Sequence, residues 1–144
     1  AELDKQKLPT ALYNAMIFPF KNFTIKGFLW YQGEGNVTNP KPYKDFTHDL
    51  VNSWRAQWDD EKLPFYFVQI TPYAYNKHRN RKVLNADLLR EAQVKATQEI
   101  PNTGIVITND VGNCNNIHPA EKEIIDEGAV DKCFCFSSST TSYK

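Results

Sequence analysis

Three short apolar runs punctuate the chain. Thr24 to Tyr31 is apolar and partly β-branched. Pro64 to Thr71 carries Phe65, Tyr66, Phe67, Val68 and Ile70 almost without interruption, and Gly104 to Thr108 contributes Ile105, Val106 and Ile107. None alternates cleanly between apolar and polar positions. Runs of this length and character predict strands covered on both faces, as in a parallel sheet. Between the runs the period changes. From Pro42 to Trp58, the residues Tyr43, Phe46, Leu50, Trp54 and Trp58 recur every three or four positions, which predicts one apolar stripe on a helix. Leu84 to Ile100 sets Leu88, Leu89, Ala92 and Ala96 among good helix formers. Thr10 to Ile17 predicts a short helix stopped by Pro19. Pro119 to Gly128 predicts another, with Pro119 in its first turn and Glu121 and Glu123 at its positive end.

The predicted order is helix, strand, helix, strand, helix, strand, helix. Such alternation argues for right-handed βαβ crossovers and a parallel sheet with helices on both faces. About three strands is thin for a sheet of this kind, so further strands are expected outside this chain. Two stretches break the pattern. The basic run Asn76 to Lys82 reads as a solvated loop, with contact to an anionic ligand as the sharper alternative. The Ser- and Thr-rich tail, Phe136 to Lys144, has no periodicity and is expected to be disordered or foreign to the fold.

Composition narrows the function classes. The chain has 144 residues, 41% of them hydrophobic, enough for one ordinary domain with a core. Seventeen basic and seventeen acidic residues cancel, which argues against nucleic-acid partners and a polybasic membrane patch. No apolar run approaches the ~20 residues that cross a bilayer. The polar opening, Ala1 to Lys5, carries no secretory signal, so either the protein is cytosolic or a leader lies outside this sequence. Three cysteines, Cys114, Cys133 and Cys135, do not make a disulfide framework. Two glycosylation sequons, at Asn22 and Asn36, carry meaning only in a secreted eukaryotic chain.

Candidate chemistry collects where two strands end. The first run closes in Trp30-Tyr31-Gln32-Gly33-Glu34-Gly35-Asn36, and the third is followed by Thr108 to Pro119, which contains Asn115, Asn116 and His118. In a parallel sheet both ends fall at the carboxyl edge, where ligands bind. Gln32, Glu34 and His118 can therefore converge although His118 lies more than eighty positions from the other two. A histidine can act as general base, a carboxylate can orient its ring, and a side-chain amide can donate to a developing oxyanion. No serine stands in a strand-to-helix turn. Ser53 falls inside the Trp-containing helix, and Ser137, Ser138, Ser139 and Ser142 fall in the tail. Each candidate also has a bland reading: His118 as a helix-start residue, Glu34 as a solvated loop carboxylate, Gln32 as a turn residue, Trp30 and Tyr31 as core aromatics. A zinc site from Cys114, His118, Cys133 and Cys135 is a further alternative, although Cys133 and Cys135 lack the usual gap of two to four residues.

The segments Leu12 to Ile17, Ile25 to Glu34, Trp54-Arg55-Ala56-Gln57-Trp58 and Leu63 to Ile70 resemble the sialate O-acetylesterase family. Leu89-Arg90-Glu91-Ala92-Gln93, Ile100 to Gly104 and Ile117-His118-Pro119 agree in order and spacing, so the likeness spans about residues 8 to 125. The resemblance implies an SGNH-type hydrolase related to acetylxylan esterases, with a three-layer α/β/α fold around a parallel sheet, here partial, with about three strands and flanking helices. Residues 1–128 are then the C-terminal part of the esterase domain and 129–144 an atypical tail. The implied activity is hydrolysis of O-acetyl esters on sialic acid or other sugars through a serine nucleophile, with no metal or organic cofactor. The family suggests a secreted, periplasmic or lysosomal location.

Position by position, His118 matches the family's catalytic histidine, Gln32 the amide expected to line the oxyanion hole, and Glu34 the carboxylate that related acetylxylan esterases use as the triad acid. Trp30, Tyr31, Asn36 and Tyr73 are the expected substrate-binding residues, with Tyr75 a further aromatic face. The expected partners are an acetylated carbohydrate and the N-terminal half of the domain. Three departures stand out. The family's nucleophile lies in a Gly-x-Ser-Asn motif upstream of the Leu12 to Ile17 run. Asn115 and Asn116 stand where the family has an acid shortly before the histidine, so either Glu34 orients His118 or that role is lost. The long closing helix expected after Glu123 gives way to Gly128 to Cys135, as in a truncated or frame-shifted terminus. A non-catalytic carbohydrate-binding or inactive fragment is the alternative reading.

Overall fold

The computed structural model describes residues 8, 10–75, 85–110, 112–118 and 123. Three strands, β1 (Phe28–Tyr31), β2 (Phe65–Val68) and β3 (Thr103–Val106), form one parallel sheet in the order β1-β2-β3. Phe28 pairs with Phe65 and Phe65 with Thr103, and the register continues to Tyr31, Val68 and Val106. Each strand is shorter than the apolar run that predicted it, for local reasons. At Gly27 a Cβ would lie 2.8 Å from the Pro64 carbonyl oxygen, which accepts the Phe28 N–H at 2.8 Å. Residues 24–26 therefore approach the sheet without joining its ladder. Beyond Val68, the Gln69 N–H still reaches the Val106 carbonyl at 3.0 Å, and the Thr108 hydroxyl donates to the Gln69 carbonyl at 2.9 Å. A side chain thus replaces the main-chain ladder at this end.

Among the described residues, three α-helices with defined bounds accompany the sheet: α1 (Ala11–Met16), α2 (Tyr43–Gln57) and α3 (Ala86–Glu99). Strand order 1-2-3 with same-handed crossovers puts α2 and α3 on one face. There Val51 of α2, Phe65 and Phe67 of β2, and Ala96 with Ile100 at the end of α3 form the core, flanked by Phe28, Trp30, Leu50, Trp54 and Ile105. Edge-to-face contacts of Phe28 with Trp54 (4.9 Å between centroids) and of Trp30 with Trp54 (5.5 Å) fix α2 on β1. The opposite face carries Tyr31 against Val68, and Leu29, which is 52% exposed. The predicted helix Pro119 to Gly128 lies outside the described residues apart from Glu123, as do the basic run 76–82 and the tail. Among the described residues, no helix is long and apolar enough to cross a membrane.

The buried stripe of α2 differs from the predicted one. Tyr43, Thr47, Val51 and Arg55, spaced four apart, point inward, whereas Phe46 is 58% exposed. The polar members of this row are buried because main-chain carbonyls satisfy them. The Thr47 hydroxyl donates to the Tyr43 carbonyl at 2.7 Å. Arg55 donates to the carbonyls of Leu63 (2.9 Å), Pro101 (2.8 Å) and Asn102 (3.2 Å), tying the entries of β2 and β3 together. On α3, Leu89, Gln93 and Ala96 are buried, and Leu88 is exposed instead.

Candidate active site at the carboxyl edge of the sheet

All three strands end at the same edge, and the polar residues singled out in the sequence follow two of them. After β1 the backbone turns at Gly33 into a single turn of 3₁₀ helix, Glu34–Asn36. Gly33 is buried, and a Cβ there would lie 2.5 Å from Ile70 Cγ2 and 3.0 Å from Gln93 Nε2. Only glycine allows the turn to sit this close to β2 and α3. The Gln32 carbonyl accepts two hydrogen bonds, from the Tyr43 hydroxyl at 2.9 Å and from Gln93 Nε2 at 3.2 Å. Gln32 Nε2 donates to Asn36 Oδ1 at 2.9 Å. A side-chain amide has two N–H donors, so the second remains for another acceptor.

Glu34 is half-buried and, among the described residues, its carboxylate makes no hydrogen bond or ion pair. Its charge is felt by the hydroxyls of Tyr31, Tyr43 and Tyr75, whose pKa values are all raised, chiefly by burial. Tyr75 is pushed up to about 12 by burial first and the Glu34 carboxylate second, and its hydroxyl is buried without a hydrogen-bond partner among the described residues. Glu34 thus faces a tyrosine-rich flank.

His118 lies on the loop after β3 and is exposed. That loop is fastened to the segment following β2. At Gly112 a Cβ would lie 2.5 Å from Pro72 Cδ, and the Ala74 N–H donates to the Cys114 carbonyl at 3.1 Å. Within the loop, Asn116 Oδ1 accepts the His118 backbone N–H at 3.0 Å and Asn113 Oδ1 accepts that of Asn115 at 2.8 Å. Asn116 therefore shapes the loop through the main chain. Among the described residues, no hydrogen bond joins His118 to Gln32 or Glu34.

The aromatic candidates divide between the two faces of the sheet. Trp30 lines a cleft of about 240 Å³ with Gln32, Asn36, Tyr43, Phe46 and Leu50 on the α2 side. Tyr31 turns to the other face against Val68. Tyr73 meets Tyr75 edge to face at 5.0 Å between centroids. Asn36 sits with Gln32, so its sequon side chain is already engaged. Among the described residues, no three His, Cys, Asp or Glu side chains gather to hold a metal; Cys133 and Cys135 lie outside them.

Sequence reasoning had given Gln93 and Tyr43 no role at this edge. The available signal was a glutamine occupying a buried helical position between Leu89 and Ala96, where an apolar residue packs without needing partners.

Comparison with known proteins agrees with this architecture. A family model described as carbohydrate esterase, sialic acid-specific acetylesterase, matches residues 2–128. The chain is 31% identical over 134 residues to a sialate O-acetylesterase of Rattus norvegicus and 29% identical over 133 residues to that of Mus musculus, covering 81% of this chain in each case. It spans 24% of the length of each of these relatives. The crystal structure of a carbohydrate acetylesterase from Xanthomonas citri superposes with a TM-score of 0.75 at 38% identity, covering 88% of this chain and 29% of that one. A three-stranded parallel sheet ending in Gln-Gly-Glu, flanked by helices and matched over nearly its whole described length, places the chain in the sialic acid-specific acetylesterase family of carbohydrate esterases.

Proposed function

We propose that this chain forms the histidine-bearing part of a carbohydrate O-acetylesterase, with acetylated sialic acid or another acetylated sugar as substrate. The observation that carries the reading is the Gln32 turn. Its carbonyl is tied inward by two donors, and its side-chain amide is anchored to Asn36 with one N–H to spare. A preorganised amide of this kind stabilises the oxyanion of an acyl-transfer intermediate.

In this reading the nucleophile is a serine contributed by sequence upstream of Ala1. Its Oγ attacks the acetyl carbonyl and His118 takes its proton. The carbonyl oxygen, now negative, accepts from Gln32. Collapse breaks the bond to the sugar oxygen, which leaves with the proton from His118. Water, deprotonated in turn by His118, attacks the acyl-enzyme, and acetate is released as the serine Oγ takes that proton back from His118. Glu34 is the carboxylate assigned to His118. Two features support Glu34 over the 116 position: its carboxylate has no competing partner among the described residues, and the Asn116 side chain is committed to the loop backbone.

The test uses the complete protein, this chain joined to its upstream sequence, with acetate release measured on an O-acetylated sugar. Gln32→Ala is expected to lower kcat by about 100-fold, the usual loss for one oxyanion donor. Unchanged kcat in Gln32→Ala, or no acetate release by the unaltered protein, overturns the proposal.

A further inference from the structure

Gln93 is 2% exposed, on the stripe of α3 that faces the sheet. A buried amide is costly unless both of its ends are bonded. Here both are. Oε1 accepts the Ile70 N–H at 3.1 Å, just past the end of β2. Nε2 donates to the Gln32 carbonyl at 3.2 Å, just past the end of β1, and approaches the Tyr43 hydroxyl at 3.4 Å. A main-chain donor on one side and a main-chain acceptor on the other leave one orientation for the amide. Tyr43, 4% exposed, closes the arrangement by donating to the same Gln32 carbonyl at 2.9 Å.

The hydrogen bonds do more than satisfy a core. Those to the Gln32 carbonyl fix the peptide plane between Gln32 and Gly33, and with it the direction in which the Gln32 side chain leaves the backbone. Asn36 fixes the far end of that side chain. Gly33 lies against Ile70 and Gln93 with no space for a methyl group, so the turn has no room to settle closer. A leucine at position 93 would fill similar space, but it would release the Gln32 carbonyl from one donor and leave the Ile70 N–H unbonded.

We propose that Gln93, together with Tyr43, is a positioning residue for this site: it holds the Gln32-Gly33 turn so that the Gln32 amide meets the oxyanion. This deepens the esterase reading and rests on Gln32 acting there. Gln93 itself touches neither substrate nor the reacting atoms.

The experiment compares Gln93→Met, Gln93→Glu, Tyr43→Phe and Gln32→Ala in the complete protein, reading kcat, KM and thermal midpoint. Active sites are counted with a serine-reactive phosphonate, so that lost folding is separated from lost turnover. Gln93→Met is expected to lower kcat per active site by about 10- to 100-fold, the scale of a misplacement near 1 Å, with KM changed less than about threefold. Tyr43→Phe removes the second donor without altering α3 and lowers kcat in the same direction. Gln93→Glu preserves shape but presents a carboxylate to the Gln32 carbonyl. Its kcat relative to the unaltered protein should rise as pH falls, because protonation restores a donor there.

A purely structural Gln93 would give fewer active sites, each turning over normally, and that result overturns the proposal. A drop in Gln32→Ala with normal kcat in all Gln93 and Tyr43 variants also overturns it while leaving the esterase reading intact. Normal kcat in Gln32→Ala removes the reading on which it rests.

Discussion

Replacing Gly33 by alanine introduces a methyl carbon 2.5 Å from Ile70 Cγ2 and 3.0 Å from Gln93 Nε2. Carbon atoms in contact rest about 3.5–4.0 Å apart, so something must move by roughly 1 Å. Ile70 is fully buried and β-branched, with little rotamer freedom. Gln93 is held at both ends of its amide. The turn is therefore the part that yields, lifting away from β2 and stretching the two bonds to the Gln32 carbonyl from 2.9 and 3.2 Å beyond hydrogen-bonding distance. Overpacking costs about 1–3 kcal/mol, and each of the two lost bonds about 1 kcal/mol, so Gly33→Ala should destabilise by about 3–5 kcal/mol. The displaced Gln32 amide should lower kcat by about 100-fold. Urea unfolding and acetate release of the complete protein measure both. Stability within about 0.5 kcal/mol of the parent and kcat within twofold would refute the packing argument.

Arg55→Met removes three donors to the carbonyls of Leu63, Pro101 and Asn102 and should cost about 3 kcal/mol, seen as a lower urea midpoint at unchanged slope; an unchanged midpoint contradicts it. Tyr75, with its hydroxyl raised to about 12, keeps its proton in the folded state between roughly pH 10 and 12 while the unfolded chain loses it. Unfolding then releases a proton, so this contribution to stability is present below pH 10 and is lost as pH rises toward 12. Tyr75→Phe should flatten the alkaline fall in the melting temperature, and an identical alkaline slope counts against the assignment. With Leu29, Phe46, Phe20 and Phe23 all more than half exposed and β1 paired on one side only among the described strands, the chain by itself should self-associate. Light scattering that finds a monomer with a cooperative melt at high concentration would contradict this.

β2 was legible in the sequence because every residue from Phe65 to Ile70 is buried, and only a central strand tolerates so continuous an apolar run. The turn after β1 was legible for the opposite reason: Gln32, Gly33 and Glu34 cannot continue a buried strand, so their presence marks an edge. The face of α2 was not legible. Thr47 and Arg55 occupy its buried row because nearby carbonyls accept their hydrogen bonds, while Phe46 stays largely in solvent. Those carbonyl partners belong to residues brought close by folding, and periodicity does not register them. Gln93 escaped notice for the same reason, since its partners Gln32 and Ile70 lie 61 and 23 positions away. The anchoring of the His118 loop on Pro72 and Ala74 likewise depends on contacts between distant segments, of which Gly112 was the only local trace.

His118 is proposed as the general base of an acetylesterase, and acetate release by His118→Ala in the complete protein, with O-acetylated sugar as substrate, tests that role. Loss of the base should lower kcat by at least about 100-fold while the thermal midpoint stays close to the parent value, because the side chain is exposed and, among the described residues, makes no hydrogen bond. A folded His118→Ala protein that releases acetate at the parent rate would rule out that role.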